Sequence, residues 1–244
     1  MAKKFKDYYN KKTATLIGEK IILVKKDFDV ESFAKYISKK VTGKEFLERQ
    51  DVFVDAFEKF LGSNYTKNIQ LFTKILGQEL QTEAGMFTHG YWLWPIGRYV
   101  EKHGTKDFAI SIPFIKELTK RFTGEFAIRP LLEVYSKKTV SEILKWSKDE
   151  NVHVRRLASE GMRIHLPWTK KSIVCVENFS SYKKILTNLK NDESKFVQKS
   201  VGNNINDLYK SYPDKAEEIV SEWKNDSPSK ATEWIIKHGR RNQK

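Results

Sequence analysis

Apolar residues recur three and four positions apart along almost the whole chain, and stretches that alternate apolar with polar are scarce. This pattern predicts helices at about 12–25, 30–40, 44–61, 66–80, 90–103, 107–120, 124–137, 139–147, 152–165, 179–190, 195–211, 214–224 and 229–239. Short connections separate them: LGSNY, HGTKD, RFTGE, KDEN, KNDES and KNDSP. These are rich in the residues that favour turns. Ile21–Lys26 (IILVKK) is the one stretch that could be a strand, and it reads equally well as a helix end. With only 6 prolines and 12 glycines, the chain is expected to be all-α and built from helical pairs.

The pattern is densest over 149–168, DENVHVRRLASEGMRIHLPW. It reads as a turn, a helix with Asp149 as its cap, a stop at Pro167, and Trp168 just beyond. Val154, Leu157, Ala158 and Met162 fall on one buried stripe; Arg155, Arg156, Glu160 and Arg163 take the other positions. The opening has the form of an acidic cap followed by V-R-x-x-A. Residues 192–201, DESKFVQKSV, match it position for position 43 residues later, and a fainter copy begins at Asp226 in DSPSKATEWIIKHG. A period of ~40 residues is that of HEAT-type helical pairs. Stacked pairs bury a shared core and curve into a solenoid with a concave face. The plainer alternative is a coincidence between two capped helices. No linker is long enough to mark a second domain, so residues 1–244 are expected to form one.

Composition narrows the partners. Lys+Arg number 45 against 31 Asp+Glu, a net charge of +14, on a chain that is 39% hydrophobic and 13% aromatic. The apolar content suits a packed core. The charge favours a polyanion, most commonly nucleic acid, although a lysine-rich solvated surface would produce the same balance. Cys175 is the only cysteine, so no intramolecular disulfide is possible, which fits a reducing cytoplasm. The start, MAKKFKDYYNKK, has no apolar core of a secretory signal, and no apolar run approaches the ~18 residues of a membrane span. The five histidines (His89, His103, His153, His165, His238) are scattered without metal-ligand spacing. No metal or cofactor is expected.

Six blocks carry a family resemblance: FKDYYN (Phe5–Asn10), HGYWLWP (His89–Pro95), FTGEFAIRPLL (Phe122–Leu132), VRRLASEGMRIHLPW (Val154–Trp168), FVQKSVGNNINDL (Phe196–Leu208) and WIIKHGRR (Trp234–Arg241). Together they span nearly the whole chain, and the FAIRP and RLASEG…PW blocks are the specific ones. On them the chain resembles the HEAT-like-repeat DNA alkylation repair glycosylases, in the AlkC branch rather than the AlkD branch. The resemblance implies a right-handed α-α superhelix whose concave face holds alkylated double-stranded DNA by its backbone. It implies a monofunctional glycosylase that removes cationic N-alkylated bases, 3-methyladenine first, without flipping them into a deep pocket. 3-Methylcytosine and 1-methyladenine follow only from the branch. A bacterial-type cytoplasmic monomer, nucleoid-associated when bound to DNA, is the corresponding expectation. Many relatives carry a further immunoglobulin-like domain after the repeats, and no β-rich stretch follows Arg241, so that domain is expected to be lacking.

The implied active site is acidic residues with a tryptophan, which map onto Glu125, Glu160, Asp207 and Trp168. Their chemistry fits. Hydrolysis of an N-glycosidic bond passes through a sugar with oxocarbenium character, which a carboxylate can stabilise while orienting the attacking water. A leaving base that is already cationic needs little acid assistance. Each residue also has a plain reading: Glu125 as a first-turn glutamate after Gly124, Glu160 as a surface partner of Arg156 or Arg163, and Asp207 as a surface partner of Lys210. The indole of Trp168 can attract a cationic base, worth ~0.5–2 kcal/mol, or can simply wedge between repeats. Trp92 and Trp94 are two apart, cannot share a helical face, and are expected in the core or a pocket wall. No lysine stands out as a Schiff-base nucleophile. Arg129, Arg155, Arg156, Lys199, Arg240 and Arg241 are the candidates for phosphate contacts. The alternatives to an enzyme are a non-catalytic HEAT-like module that binds nucleic acid and a protein–protein scaffold.

Overall fold

The computed structural model describes residues 4–243; residues 1–3 and 244 of the expected 1–244 domain lie outside the described residues. The chain divides into two compact units, Met1–Pro130 and Leu131–Lys244. The fold is all-α, and among the described residues there is no strand. No helix among them is long and apolar enough to cross a membrane.

After a 3-10 turn at Phe5–Tyr8, the first unit runs through α1 (Lys11–Val24), α2 (Val30–Lys40), α3 (Phe46–Leu61), α4 (Tyr65–Ile75), α5 (Trp94–His103) and α6 (Phe108–Thr119). α7 (Ile128–Val134) follows. IILVKK is the end of α1 and the turn after it. The helices begin where a short polar side chain can accept an orphan amide. Asn10 accepts from Lys12, Asp29 from Ser32, Asn64 from Lys67 and Asp107 from Ile110. α3 opens with a reciprocal box between Glu45 and Glu48. The core is aromatic. Phe33 stacks on Phe57 at 5.8 Å, Phe57 meets Phe72 edge-on at 4.9 Å, and Tyr65 stacks on Tyr99 at 5.8 Å. Each such ring stabilises the fold by ~1.5–3 kcal/mol on burial. Trp92 and Trp94 are both buried, as the sequence implied.

The second unit stacks α8 (Ser136–Trp146) with α9 (Val152–Glu160) and α11 (Phe179–Leu189) with α12 (Lys195–Ser211), followed by a third pair in sequence, α13 (Pro213–Asn225) and α14 (Lys230–Gly239), each packed on α12. A single turn, α10 (Val174–Glu177), precedes α11. α12 packs on both α9 and α14. Polar bonds tie the first helices of the pairs: Asn188 donates to Ser147 at 2.8 Å, and the Trp223 indole to Thr187 at 3.0 Å.

The repeat is real, but its caps are not the acidic residues. Asn151, not Asp149, caps α9, accepting from His153 and Val154. Asp149 accepts the Asn151 amide at 2.9 Å and so shapes the turn that presents the cap. The second pair repeats the device: Asp192 accepts the Ser194 amide at 3.0 Å and Ser194 caps α12. In the third, Ser229 caps α14.

Several helices are shorter than predicted. α4 stops at Ile75, just before Gly77 with φ +80°. The predicted 124–137 and 139–147 become α7 and α8, meeting at Tyr135. α9 stops at Glu160 instead of 165. Beyond it Met162, Ile164 and Leu166 are buried in alternation with Arg163 and His165. That is the period of extended chain rather than helix, although Met162 also continues the stripe of α9 and so disguises the break.

Candidate active site

The segment 161–172 is irregular but well anchored. Its three buried apolar side chains hold it to the second unit, the Ser172 amide donates to the Ile164 carbonyl at 3.1 Å, and Thr169 donates its amide and hydroxyl to the Leu166 carbonyl. At its tip Trp168 adopts φ +64° and is 63% exposed. A bulky side chain in the left-handed region is a genuine outlier. It costs roughly 1–2 kcal/mol and persists only where the surroundings impose it.

The same segment delivers Arg163 to two carboxylates. Glu160, the last residue of α9, is 4% exposed, and Asp207, on α12, is 2% exposed. Arg163 Nη1 donates to Glu160 Oε1 at 2.9 Å. Its Nε donates to Asp207 Oδ2 at 3.0 Å, and its Nη2 to Asp207 Oδ1 at 3.4 Å and to the His165 carbonyl at 3.2 Å. Arg156 Nη2 adds an ion pair to Glu160 Oε1 at 3.4 Å. The Ser200 hydroxyl donates to Glu160 Oε2 at 2.5 Å, and the His165 amide to Asp207 Oδ2 at 3.2 Å. Ser200, Asn204 and Asp207 lie on one face of α12. Asn204 steadies that face by donating to Ser159 and to the Ser200 carbonyl, and it accepts from the buried Tyr182 hydroxyl at 2.8 Å.

Two buried anions and two arginines therefore balance. Charges taken out of water are costly unless paired and hydrogen-bonded. Burial by itself would raise the pKa of Glu160, but the charges of Arg156 and Arg163, with the Ser200 and Arg163 hydrogen bonds, outweigh it and hold the carboxyl below its ordinary value. Burial would likewise lower Arg163, yet Glu160 and Asp207 hold it above its ordinary value. Both ions are thus fixed at neutral pH.

Glu125 belongs to the first unit. It sits in the turn before α7 rather than inside a helix, because the helix begins only at Ile128. It is 7% exposed and accepts from the Thr123 hydroxyl at 3.0 Å. Arg129, at the start of α7, is also buried. Arg155 reaches across to the next repeat, with Nε 2.7 Å from Asp192 Oδ2 and Nη1 on the carbonyls of Asp149 and Glu150. Arg156 lies over the Phe196 ring as well as beside Glu160. Arg240 Nη2 donates to both Glu217 carboxylate oxygens at 2.6 and 2.7 Å, and its Nε to the Tyr209 hydroxyl. Lys199 and Arg241 are exposed on α12 and just after α14. Arg241 donates to the His238 carbonyl and to Asn203, and burial together with the Arg163 charge holds it below its ordinary value.

The second unit thus brings Glu160 and Asp207 together through Arg163, which the sequence reading assigned only to a polar helix face. Ser200 and Asn204 were missed too. They carry a readable signal: polar residues set among Val197, Val201, Ile205 and Leu208, the buried positions of α12. Among the described residues no group of three or more His, Cys, Asp or Glu side chains is arranged to hold a metal ion.

The chain is similar to known proteins in sequence and in fold. The family described as DNA alkylation repair enzyme matches residues 101–242. An uncharacterized protein, YhaZ of Bacillus subtilis (strain 168), is 41% identical over 143 residues, covering 59% of this chain and 40% of that protein. The structure of Pseudomonas fluorescens alkylpurine DNA glycosylase AlkC, bound to DNA containing an abasic site analog, matches with a TM-score of 0.86 and 28% identity, over 99% of this chain and 65% of that one. The chain spans less than two thirds of the length of either relative.

Proposed function

The chain belongs to the family of DNA alkylation repair enzymes, and from that premise we propose that it is a monofunctional DNA glycosylase acting on cationic N-alkylated bases in duplex DNA. 3-Methyladenine is the primary substrate of this reading, with 3-methylcytosine and 1-methyladenine as further candidates. The observation that carries it is the pair of buried carboxylates, Glu160 and Asp207, locked on Arg163 beside the segment that holds Trp168 out to solvent. Ordinary surface ion pairs need no such burial. A preorganised anion is what a developing oxocarbenium calls for.

In this reading Glu125, Glu160, Asp207 and Trp168 serve the chemistry. The carboxylates stabilise the sugar cation by their charge, and one of them orients a water toward C1′ and takes its proton as the oxygen bonds to the sugar. The bond from C1′ to the alkylated base breaks, the base departs neutral, and an abasic site remains. The indole face of Trp168 attracts the cationic base. Arg129, Arg155, Arg156, Lys199, Arg240 and Arg241 are the candidates for holding backbone phosphates. The glycosidic bond is cleaved without extrusion of the base into a deep pocket. The protein works as a monomer in the bacterial cytoplasm, where its one thiol, the buried Cys175, stays reduced.

The test is release of free methylated bases from methylated duplex DNA. Release supports the enzyme. Binding without release supports a non-catalytic nucleic-acid module, and neither supports a scaffold. Glu125→Gln is expected to abolish 3-methyladenine release while retaining the helical circular-dichroism signal; full activity in that variant would sink the assignment.

A further inference from the structure

The two carboxylates of the second unit are not equivalent, and their hydrogen bonds divide their roles. Glu160 is occupied at both oxygens: Oε1 takes Arg163 and Arg156, and Oε2 takes the Ser200 hydroxyl at 2.5 Å. Asp207 carries its bonds unevenly. Oδ2 takes Arg163 Nε at 3.0 Å and the His165 amide at 3.2 Å, whereas Oδ1 has only the long 3.4 Å contact from Arg163 Nη2. Glu160 Oε2 and Asp207 Oδ1 thus each take a single bond, but the one on Oε2 is a short hydroxyl bond and the one on Oδ1 is long, so Oδ1 is the carboxylate oxygen held least by the protein and the readier to accept a further donor. We propose that Asp207 is the carboxylate that meets the attacking water, through Oδ1, and that Glu160, whose charge serves the sugar cation from behind, is a positioning residue which acts through Arg163 without contacting that water. The proposal rests on the glycosylase reading above.

The division follows from how Arg163 is held. A planar fork can align a carboxylate only if it is itself fixed. Glu160 fixes it from α9, while the His165 carbonyl and Asp207 complete the fork. Glu160 in turn is fixed by Ser200, from the same face of α12 as Asp207. The loop is closed: α12 sets Glu160, Glu160 sets Arg163, and Arg163 sets the Asp207 carboxylate. Its charged members are Arg156 from α9, Arg163 from the following segment, and Asp207 from α12, around Glu160 itself. Arg241 is the next cation, beside Arg163 and Asp207.

The experiment uses the full chain, methylated duplex DNA and single-turnover rates across pH, with helical content checked for every variant. Asp207→Asn is expected to lose ~100-fold or more, the scale of a lost general base. Glu160→Gln keeps a side chain that can still accept from Arg163, and its rate is expected to stay at least about 10-fold above that of Asp207→Asn, well inside the span that a general base commands. Ser200→Ala disturbs no charge and so keeps the fold if Glu160→Gln does not. It removes one of the bonds that hold Glu160 ionised, so the pH at which the rate falls on acidification moves upward. A folded Glu160→Gln as inactive as Asp207→Asn would overturn the division, and so would an unmoved acid limb in Ser200→Ala. No release by the wild type would overturn the glycosylase reading itself, and this division with it.

Discussion

Trp168 holds a backbone torsion that its own side chain disfavours. At φ +64° the indole is 63% exposed, so little of the cost of the conformation is recovered by burying the ring. Leu166, buried just before it, and the Thr169 bonds just after impose the turn instead. Glycine adopts that torsion freely. Trp168→Gly is therefore expected to melt within about 1 kcal/mol of the wild type, because relief of strain offsets the added freedom of the unfolded chain. The same variant is expected to lose roughly 10-fold in base release, the worth of one cation–π contact of about 1.4 kcal/mol. Thermal melting and the release assay read the two effects separately. A variant that loses stability and keeps activity would make the indole a packing element. At this scale the sequence was partly legible. A tryptophan placed straight after a helix-breaking proline pointed to a special position. Nothing in the order of residues distinguished Arg163 from Arg155 or Arg156, because what singles it out is a partner 44 residues away.

Helices α12 and α14 approach each other closely because two of their residues lack side chains. A Cβ on Gly239 would lie 2.5 Å from Ile205 Cγ2 and 2.8 Å from Ile205 Cβ. One on Gly202 would lie 2.7 Å from the His238 ring. The Asn206 amide meets the Gly239 carbonyl at 2.9 Å across the same contact. Gly239→Ala is expected to cost ~1–3 kcal/mol, the range for overpacking a filled core, since the branched Ile205 cannot turn away and the helices must separate. A shift in the urea midpoint at constant slope would measure it; an unchanged midpoint would mean that the contact is looser than its geometry. Apolar periodicity made the helices themselves legible, and the spacing of Asp149 and Asp192 made the stacked pairs legible. The ends were not, for a local reason in each case. Asp149 and Asp192 resemble caps but shape the turn before one, and the alternation of Met162, Ile164 and Leu166 is hidden because its first member also fits the helix it leaves.

A net charge of +14 states how much cation the chain carries but not where it is available. Of the six residues named for phosphate contacts, Arg155 and Arg240 are committed to Asp192 and Glu217, and Arg156 shares Glu160 with Arg163. Lys199 and Arg241 stand exposed on neighbouring parts of the second unit. If these two hold phosphates, each releases counterions on binding, and the slope of log K against log salt should weaken by roughly 0.9 per residue removed. Lys199→Ala and Arg241→Ala are accordingly expected to weaken binding to any duplex, alkylated or not, and to flatten its salt dependence by about one unit each. Arg155→Ala should behave otherwise. It leaves the Asp192 carboxylate, which is almost fully buried, without its guanidinium and cuts a link between successive repeats, so its loss of about 3 kcal/mol falls on folding. Fluorescence-anisotropy titrations over a salt series, set beside melting curves, separate the two kinds of arginine. An Arg155→Ala protein that melts like the wild type but binds with a flatter salt slope would place that guanidinium on the DNA. It would also make Asp192 a partner held only until phosphate arrives.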